Sequence, residues 1–509
     1  MANSFAASRA ILVYALILPL AVVVGFFLAD PTAVGSIAIF LLVAGLLVVP
    51  ILMKWHHPLL IISWNAAVNP FFLPGRPYLW MVMAICSLFF TVMHRTIDED
   101  RRIGQIRALT KPLVCMLVVI VVTGWIRGGF GVYALGGQSY GGKGYYYVLA
   151  AIAGYFALSS QRIPPGRAKL FASLFFLSGL TALIPNLVYA AGPGYNFLFY
   201  LFPPEFAREQ AAGDYTLAAG FFRLVGLMGA SAALYSWLMV NYGLRKVLSL
   251  HQPWRLGLFL LAWIGCVFSG FRSSLIMLLL LFAMQFWIEG LFRTRIFPAL
   301  VGVSILGGSL VVAQLDRMPI VVQRTLSFLP IRVSSLAQES ANSSLEWRLE
   351  MWRLLLPEVP KYLILGKGYG LDPSDLTIMA INEQRGGGSM QTAMMAADYH
   401  SGPLSLLIPF GLPGLCAVGW FWMAAYRYLL WHYRWGRPDL KTINTYLLVF
   451  FTVKALFFMV FFGGFYSDIY VFIGIAGLSA SLNGPRVREA QVAAINDDAN
   501  LWAMELRRS

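Results

Sequence analysis

Apolar residues follow one another along this chain in long blocks, broken by short clusters of charge, glycine and proline. Runs of about 18 or more such residues read as transmembrane helices. The block edges predict spans near 10–29, 33–52, 58–73, 78–94, 112–126, 145–160, 168–191, 217–242, 256–271, 273–291, 297–314, 402–430, 443–463 and 469–482. The expected fold is an all-α polytopic membrane protein with about 14 transmembrane helices (12–14). The third block is short and broken at Asn69-Pro70, which reads as re-entrant or tilted. The first block follows a single basic residue and ends in no convincing cleavage site, so it reads as a retained signal-anchor helix.

Composition agrees with this pattern. The 509 residues are 59% hydrophobic and 12% charged, where a soluble chain would carry about 25% charged residues. A net charge of +15 would suggest nucleic acid on a soluble protein. Here most basic residues sit in short loops between apolar blocks, where they orient the chain instead. Cys86, Cys115, Cys266 and Cys416 all fall inside apolar blocks, without metal-ligand spacing, and read as small core residues.

Lys and Arg placement sets the orientation. With the N-terminus inside, the inner segments hold Arg9, Lys54, the run from Arg95 to Lys111, Arg162, Arg167, Lys169, Arg245, Lys246, Arg255, Arg293 and Arg295. They continue with Arg427, Arg434, Arg437, Lys441 and the four arginines of the C-terminal tail. The short outer loops hold Arg76, Arg127, Lys143 and Arg208, with Arg272 at a membrane edge. Both termini are therefore expected in the cytoplasm. The organisation is an N-terminal transmembrane bundle at 1–314, a large outer, periplasmic loop with short helices at 315–401, C-terminal transmembrane helices at 402–482 and a cytoplasmic tail at 483–509. This topology sorts the six histidines. His56, His57, His94, His251 and His432 fall on the inner face as interfacial anchors, and His400 alone faces out.

The outer loop is too long for a connector. Within it, "NSSLEWRLEMWRLLLPE" predicts a helix, with a capping box at Ser343 and Glu346 and a stop at Pro357. Trp347 and Leu354 are expected against the membrane or the top of the protein, with Arg348 and Trp352 on a neighbouring face. Arg272 sits at the outer junction of two spans, and Arg223 about two turns into the span near 217–242. A cation in hydrocarbon is costly and by default suggests function. Lys454 is another such cation and receives no role. Arginine forks match phosphate oxygens. Ser273-Ser274 and Ser401 are expected to cap two helices whose positive ends point outward, toward Arg272 and His400. The pattern therefore predicts an outer-interface anion site beside one histidine. A helix N-terminus disfavours imidazolium, which keeps the ring neutral and competent as a base. Tyr399 reads equally as a belt residue or as a substrate contact.

Weaker signals read structurally. "GKGYG" from Gly366 to Gly370 reads as a turn before it reads as a phosphate cradle, and the Gly/Tyr-rich stretch 127–147 as an interface belt before a sugar platform. Asp98-Glu99-Asp100 reads as a solvated charge run. HExxH, Walker A and CxxC motifs are absent from the sequence, and neither a metal nor a cofactor is expected.

Residues 215–430 resemble the O-antigen ligase and O-antigen polymerase superfamily, bacterial lipid-linked glycan transferases of the GT-C type. The resemblance is carried by Arg223-Leu-Val-Gly226, by Phe271-Arg272-Ser273, by Arg348 to Trp352 with Gly366-Lys-Gly368, and by His400 with Gly411-Leu-Pro-Gly414. Ser401 stands where the family usually has Asn, and Gly229 to Ser231 replaces its Asn-Pro-Asn. The resemblance implies transfer of a glycan from undecaprenyl diphosphate to a hydroxyl at the periplasmic face of the bacterial inner membrane. It implies a metal-independent, inverting reaction with His400 as general base and Arg272 and Arg348 as a diphosphate clamp. Arg223, Tyr399, Trp352 and Ser401 join as substrate contacts. The donor partner is the lipid-linked glycan, the acceptor lipid A core, a growing glycan or a protein; membrane lipid surrounds the chain, and no nucleic acid is involved. Ligase and polymerase both fit, and the oligomeric state is open. Two other readings stand beside this one, a transporter or anion permease and a non-catalytic envelope scaffold. A transporter calls for polar residues near mid-bilayer and broken helices in matched halves, and no internal repeat is visible here.

Overall fold

Eighteen helices follow one another in the computed structural model, which describes residues 34–73, 75–97, 106–131, 141–215, 223–371, 373–384 and 390–485, with 18, 21–22 and 25. Most of the span expected near 10–29, the acidic run at 98–100, the centre of the Gly/Tyr-rich stretch and most of the C-terminal tail lie outside these residues. The chain runs through α1 (Val34–Ser63), α2 (Leu79–Ile97), α3 (Arg107–Arg127), α4 (Gly142–Ser159), α5 (Ala168–Leu177) and α6 (Leu183–Ala191). It continues through α7 (Glu205–Tyr215), α8 (Val225–Val247), α9 (Pro253–Phe268), α10 (Arg272–Ile288), α11 (Ile296–Gln314) and α12 (Ile320–Leu326). The last six are α13 (Ser335–Leu355), α14 (Pro373–Gln384), α15 (Met390–Met395), α16 (Gly402–Trp435), α17 (Lys441–Val460) and α18 (Phe465–Asn483). Residues 1–57 group as one unit and 58–509 as another.

Among the described residues, seven helical segments are long and apolar enough to cross a membrane: Leu79–Thr96, Arg107–Arg127, Pro165–Ala191, Ile296–Arg317, Gly402–Trp435, Pro438–Val460 and Phe465–Asn483. Val48–Ser63, Pro253–Phe268 and Arg272–Ile288 are shorter apolar helices. The fold is all-helical and multi-pass in character, while the sequence had suggested about 14 spans. Part of the difference is physical. α4 carries buried Tyr145, Tyr147 and Tyr155, and α8 buried Ser231, Tyr235 and Ser236. Helices packed inside a bundle need less apolarity than helices facing lipid. α11, by contrast, buries none of its residues.

Within the larger unit, α4 packs between α2 and α18, α16 lies on α3 and α17, and α8 contacts α5, α9 and α17. Two helices contain built-in breaks. In α8, Gly243 takes φ 67°, and the Glu289 carboxylate accepts from Leu244 N and Arg245 N at 2.8 and 2.9 Å, re-capping the helix beyond the break. In α16, Gly411 takes φ 62° between Pro409 and Pro413. The loop after α13 docks on that break through Lys367 N to Ile408 O, Gly368 N to Pro409 O and Leu412 N to Leu363 O, at 2.7 to 2.9 Å.

Several expectations change. The blocks near 33–52 and 58–73 do not form two spans: α1 runs unbroken to Ser63, and residues 64–73 and 75–78 form no helix. Asn69 N there donates to Leu201 O at 2.8 Å, and Pro70 cannot continue a helical ladder. α13 starts eight residues before the expected capping box, with Ser334 as its cap accepting from Ala337 N at 3.4 Å. His432 is buried against Tyr428 and Trp431 instead of anchoring an interface.

Candidate functional site

The arginines are assembled around one tight turn. α9 ends at Phe268, Gly270 takes φ 81°, and Phe271 is the residue before α10, whose first residue is Arg272. Leu224 N donates to Ser269 O at 3.0 Å, which ties the start of α8 to the same turn and brings Arg223 over the Phe271 ring at 5.6 Å. Arg223 therefore precedes its helix rather than lying two turns within it; the backbone turns to meet Ser269 before α8 begins at Val225. It also pairs with Glu209 at 3.6 Å.

α12 and α13 close over the turn. Thr325 Oγ1 donates to Val267 O at 3.0 Å. Arg324 Nη1 donates to Gly270 O at 3.4 Å and Nη2 to Ser344 Oγ at 3.2 Å. Arg272 Nη2 donates to Ala341 O at 2.8 Å. One to two helical turns further along α13, Arg348 stands over the Phe462 ring at 5.4 Å. Four guanidinium groups thus meet from four separate segments. Burial pushes Arg324 down to about 10, and Arg223, Arg272 and Arg348 push the same way against Glu209. Arg348 is lowered by burial and by Arg223, with Asp398 opposing. Arg324 is only 5% exposed, and its Nε has no partner among the described residues. Clustered cations with a spare donor are an incomplete arrangement that an anion completes.

His400 stands beside this cluster. Its ring lies between Trp347 and Phe462, each 5.1 Å away between centroids. Nδ1 is 3.4 Å from Asp398 Oδ1, within ion-pair range but not aligned as a hydrogen bond. Burial lowers the imidazole pKa; Asp398 acts against this and Arg348 with it. The ring is therefore neutral at pH 7, with Asp398 facing one nitrogen. The backbone here is strained: Ala397 and His400 take φ 55° and 47°, conformations that cost non-glycine residues about 1–3 kcal/mol each. Trp352 Nε1 donates to Tyr399 O at 3.0 Å and holds the strained segment against α13. The Tyr399 side chain is 2% exposed and lines a separate cavity of about 360 Å³ with Tyr362 and Met394. Burial and Tyr362 raise its phenol pKa.

The expected serine caps are not made. Ser274 Oγ donates back to Phe271 O at 2.7 Å, and Ser401 precedes α16 without a side-chain cap bond. The first N–H groups of α10 and α16 thus receive no side-chain cap. The GKGYG segment is a structural turn, because Lys367 N and Gly368 N bond to α16 and Tyr369 N donates to Tyr145 Oη at 2.9 Å. Arg127 fixes it further through Gly366 O and Leu365 O.

Of the residues singled out in the sequence, Arg223, Arg272, Arg348 and His400 are brought together, and Trp352 supports them. Sequence reasoning missed Arg324, Asp398, Trp347 as a ring partner, and Phe462. Asp398 had a weak signal two residues before the histidine. Arg324 sits in an ordinary amphiphilic run, and Phe462 in an apolar block, so neither had one.

No curated protein matches the chain, and no solved structure does. Residues 257–419 match the family model described as O-antigen ligase, a stretch that contains Arg272, Arg324, Arg348 and His400, whereas Arg223 precedes it. Over that stretch, about a third of its length, the chain is similar to the O-antigen ligase family.

Proposed function

We propose that the protein transfers a glycan from undecaprenyl diphosphate to the hydroxyl of an acceptor, with His400 as general base and the arginines as diphosphate clamp. The observation that carries this reading is a histidine held between Trp347 and Phe462 beside four converging guanidinium groups. The acceptor hydroxyl attacks the anomeric carbon and gives its proton to His400. The bond from that carbon to the diphosphate oxygen breaks, and the lipid diphosphate leaves with the electron pair. Attack opposite the leaving group inverts the anomeric centre. Charge grows on the leaving diphosphate, where fixed cations stabilise the transition state more than the ground state. The arginines supply this charge, so the reaction as written requires no metal ion. Asp398 facing Nδ1 leaves Nε2 as the accepting nitrogen.

The orientation that fits is a periplasmic site in a bacterial inner membrane. α16 alone runs from the His400 end to Arg427, Arg434 and, just beyond it, Arg437 and Lys441, and basic residues collect on the cytoplasmic side. The test is surface polysaccharide in a deletion strain complemented with His400→Ala or Arg348→Ala. Both variants are expected to insert normally and to lose transfer; wild-type transfer by either one overturns the assignment. Polymer retained but unattached in the deletion strain identifies a ligase, and single repeat units identify a polymerase.

A further inference from the structure

A second chamber, of about 460 Å³, opens among α2, α4, α8, α17 and α18 and lacks every residue of the arginine cluster. Its walls are aromatic. Trp80 stacks on Tyr470 at 5.0 Å and 14°, and meets Tyr147 edge-on at 5.7 Å. Tyr147 also meets Tyr78 and Tyr466, at 6.0 and 5.9 Å. Trp64 fixes the floor by donating Nε1 to Tyr470 O at 3.2 Å. Lys143 and Glu205 stand exposed at its rim.

The walls are polar as well as aromatic. The hydroxyls of Tyr78, Tyr147, Tyr466 and Tyr470 make no hydrogen bond to another described residue. An acyl chain filling the chamber would leave four phenols unpaired, which is costly. A sugar ring suits both properties. Its apolar C–H face packs on aromatic rings, and its edge hydroxyls bond to phenols, to Lys143 and to Glu205. The volume falls within the range of about 300–1,000 Å³ usual for small-ligand sites. Tyr466 also meets Tyr369, in the loop docked on α16, edge-on at 6.0 Å.

We propose that this chamber is a saccharide-binding site that holds sugar units of a glycan whose reacting end lies at His400. The inference rests on the glycan-transfer reading for that last clause only; saccharide binding stands separately.

The test is equilibrium dialysis and saturation-transfer NMR on the full chain, in a detergent without a sugar headgroup. The probes are the oligosaccharide released by mild acid from the host's own lipid-linked glycan, and the terminal oligosaccharide of its surface acceptor. Saturable binding of one of them is expected, and which one binds says whether donor or acceptor sugars occupy the chamber. Tyr147→Phe/Tyr470→Phe keeps both rings, removes two hydroxyls and should weaken binding about tenfold. Binding is read without turnover, so a failure of the catalytic assignment is read apart from a failure of the chamber. Absence of saturable binding by either probe, unchanged affinity in the double variant, or a phospholipid that competes with the saccharide for the chamber overturns the proposal.

Discussion

Lys454 Nζ lies 2.7 Å from Asp468 Oδ1, joining the last two turns of α17 to the first turn of α18. Both side chains are largely buried, at 17% and 13% exposure. Asp468 Oδ2 also accepts from Gly464 N at 3.2 Å. The pair therefore clamps the turn 461–464, and that turn presents Phe462 to both His400 and Arg348. A cation without a role in the sequence becomes a support for the candidate site.

Breaking that pair should cost more than removing it. Lys454→Met leaves Asp468 buried and unpaired, a loss of about 3–5 kcal/mol. Lys454→Met/Asp468→Asn should recover much of it. Thermal unfolding in one detergent measures both, and equal losses in the two variants would refute the clamp.

Activity should fall in acid with a limb set by His400. Its folded pKa is below the usual value near 6.5 because of burial. The base is therefore deprotonated at neutral pH, and kcat/KM is flat there and drops only below the usual histidine range. Asp398 holds the pKa up, so Asp398→Asn should move the limb to lower pH; Arg348→Gln should move it up. The same depression makes the unfolded chain bind more protons, so this contribution to stability is present above about pH 6.5 and is lost as pH falls toward the folded pKa. A limb that does not move in either variant would separate it from His400.

Arg324 should matter as much as the arginines visible in the sequence. Arg324→Met removes a buried cation from the cluster and should lower transfer about 10²-fold. Arg324→Lys should rescue little, because one ammonium group does not span both Gly270 O and Ser344 Oγ. Initial rates against donor concentration, with a melting curve as folding control, decide this.

Trp352 should act through the backbone. Trp352→Phe keeps the ring but loses the bond to Tyr399 O, releasing a segment held at positive φ at Ala397 and His400. The expected result is a kcat reduced about tenfold with little change in donor KM. A KM effect alone would make Trp352 a direct donor contact instead.

The sequence alone determined that the chain is helical and apolar enough to live in a membrane. It also raised the expectations that His400 alone of the histidines faces out and that Arg272 and Arg348 bind an anion. These follow from composition, from runs of apolar residues and from charge spacing, all of which are local properties. Tertiary structure decided the rest. Arg324 entered the cluster because α12 closes over the α9–α10 turn, and Phe462 reached His400 because a buried ion pair holds its turn. The break at Gly411 became a dock for the loop that carries GKGYG. The aromatic chamber draws Trp64, Trp80, Tyr147 and Tyr470 from segments more than 400 residues apart along the chain at the extremes. An aromatic residue in an apolar block looks the same facing lipid, core or ligand; only packing against distant helices tells these apart, because contact and burial are relations between segments and not properties of one.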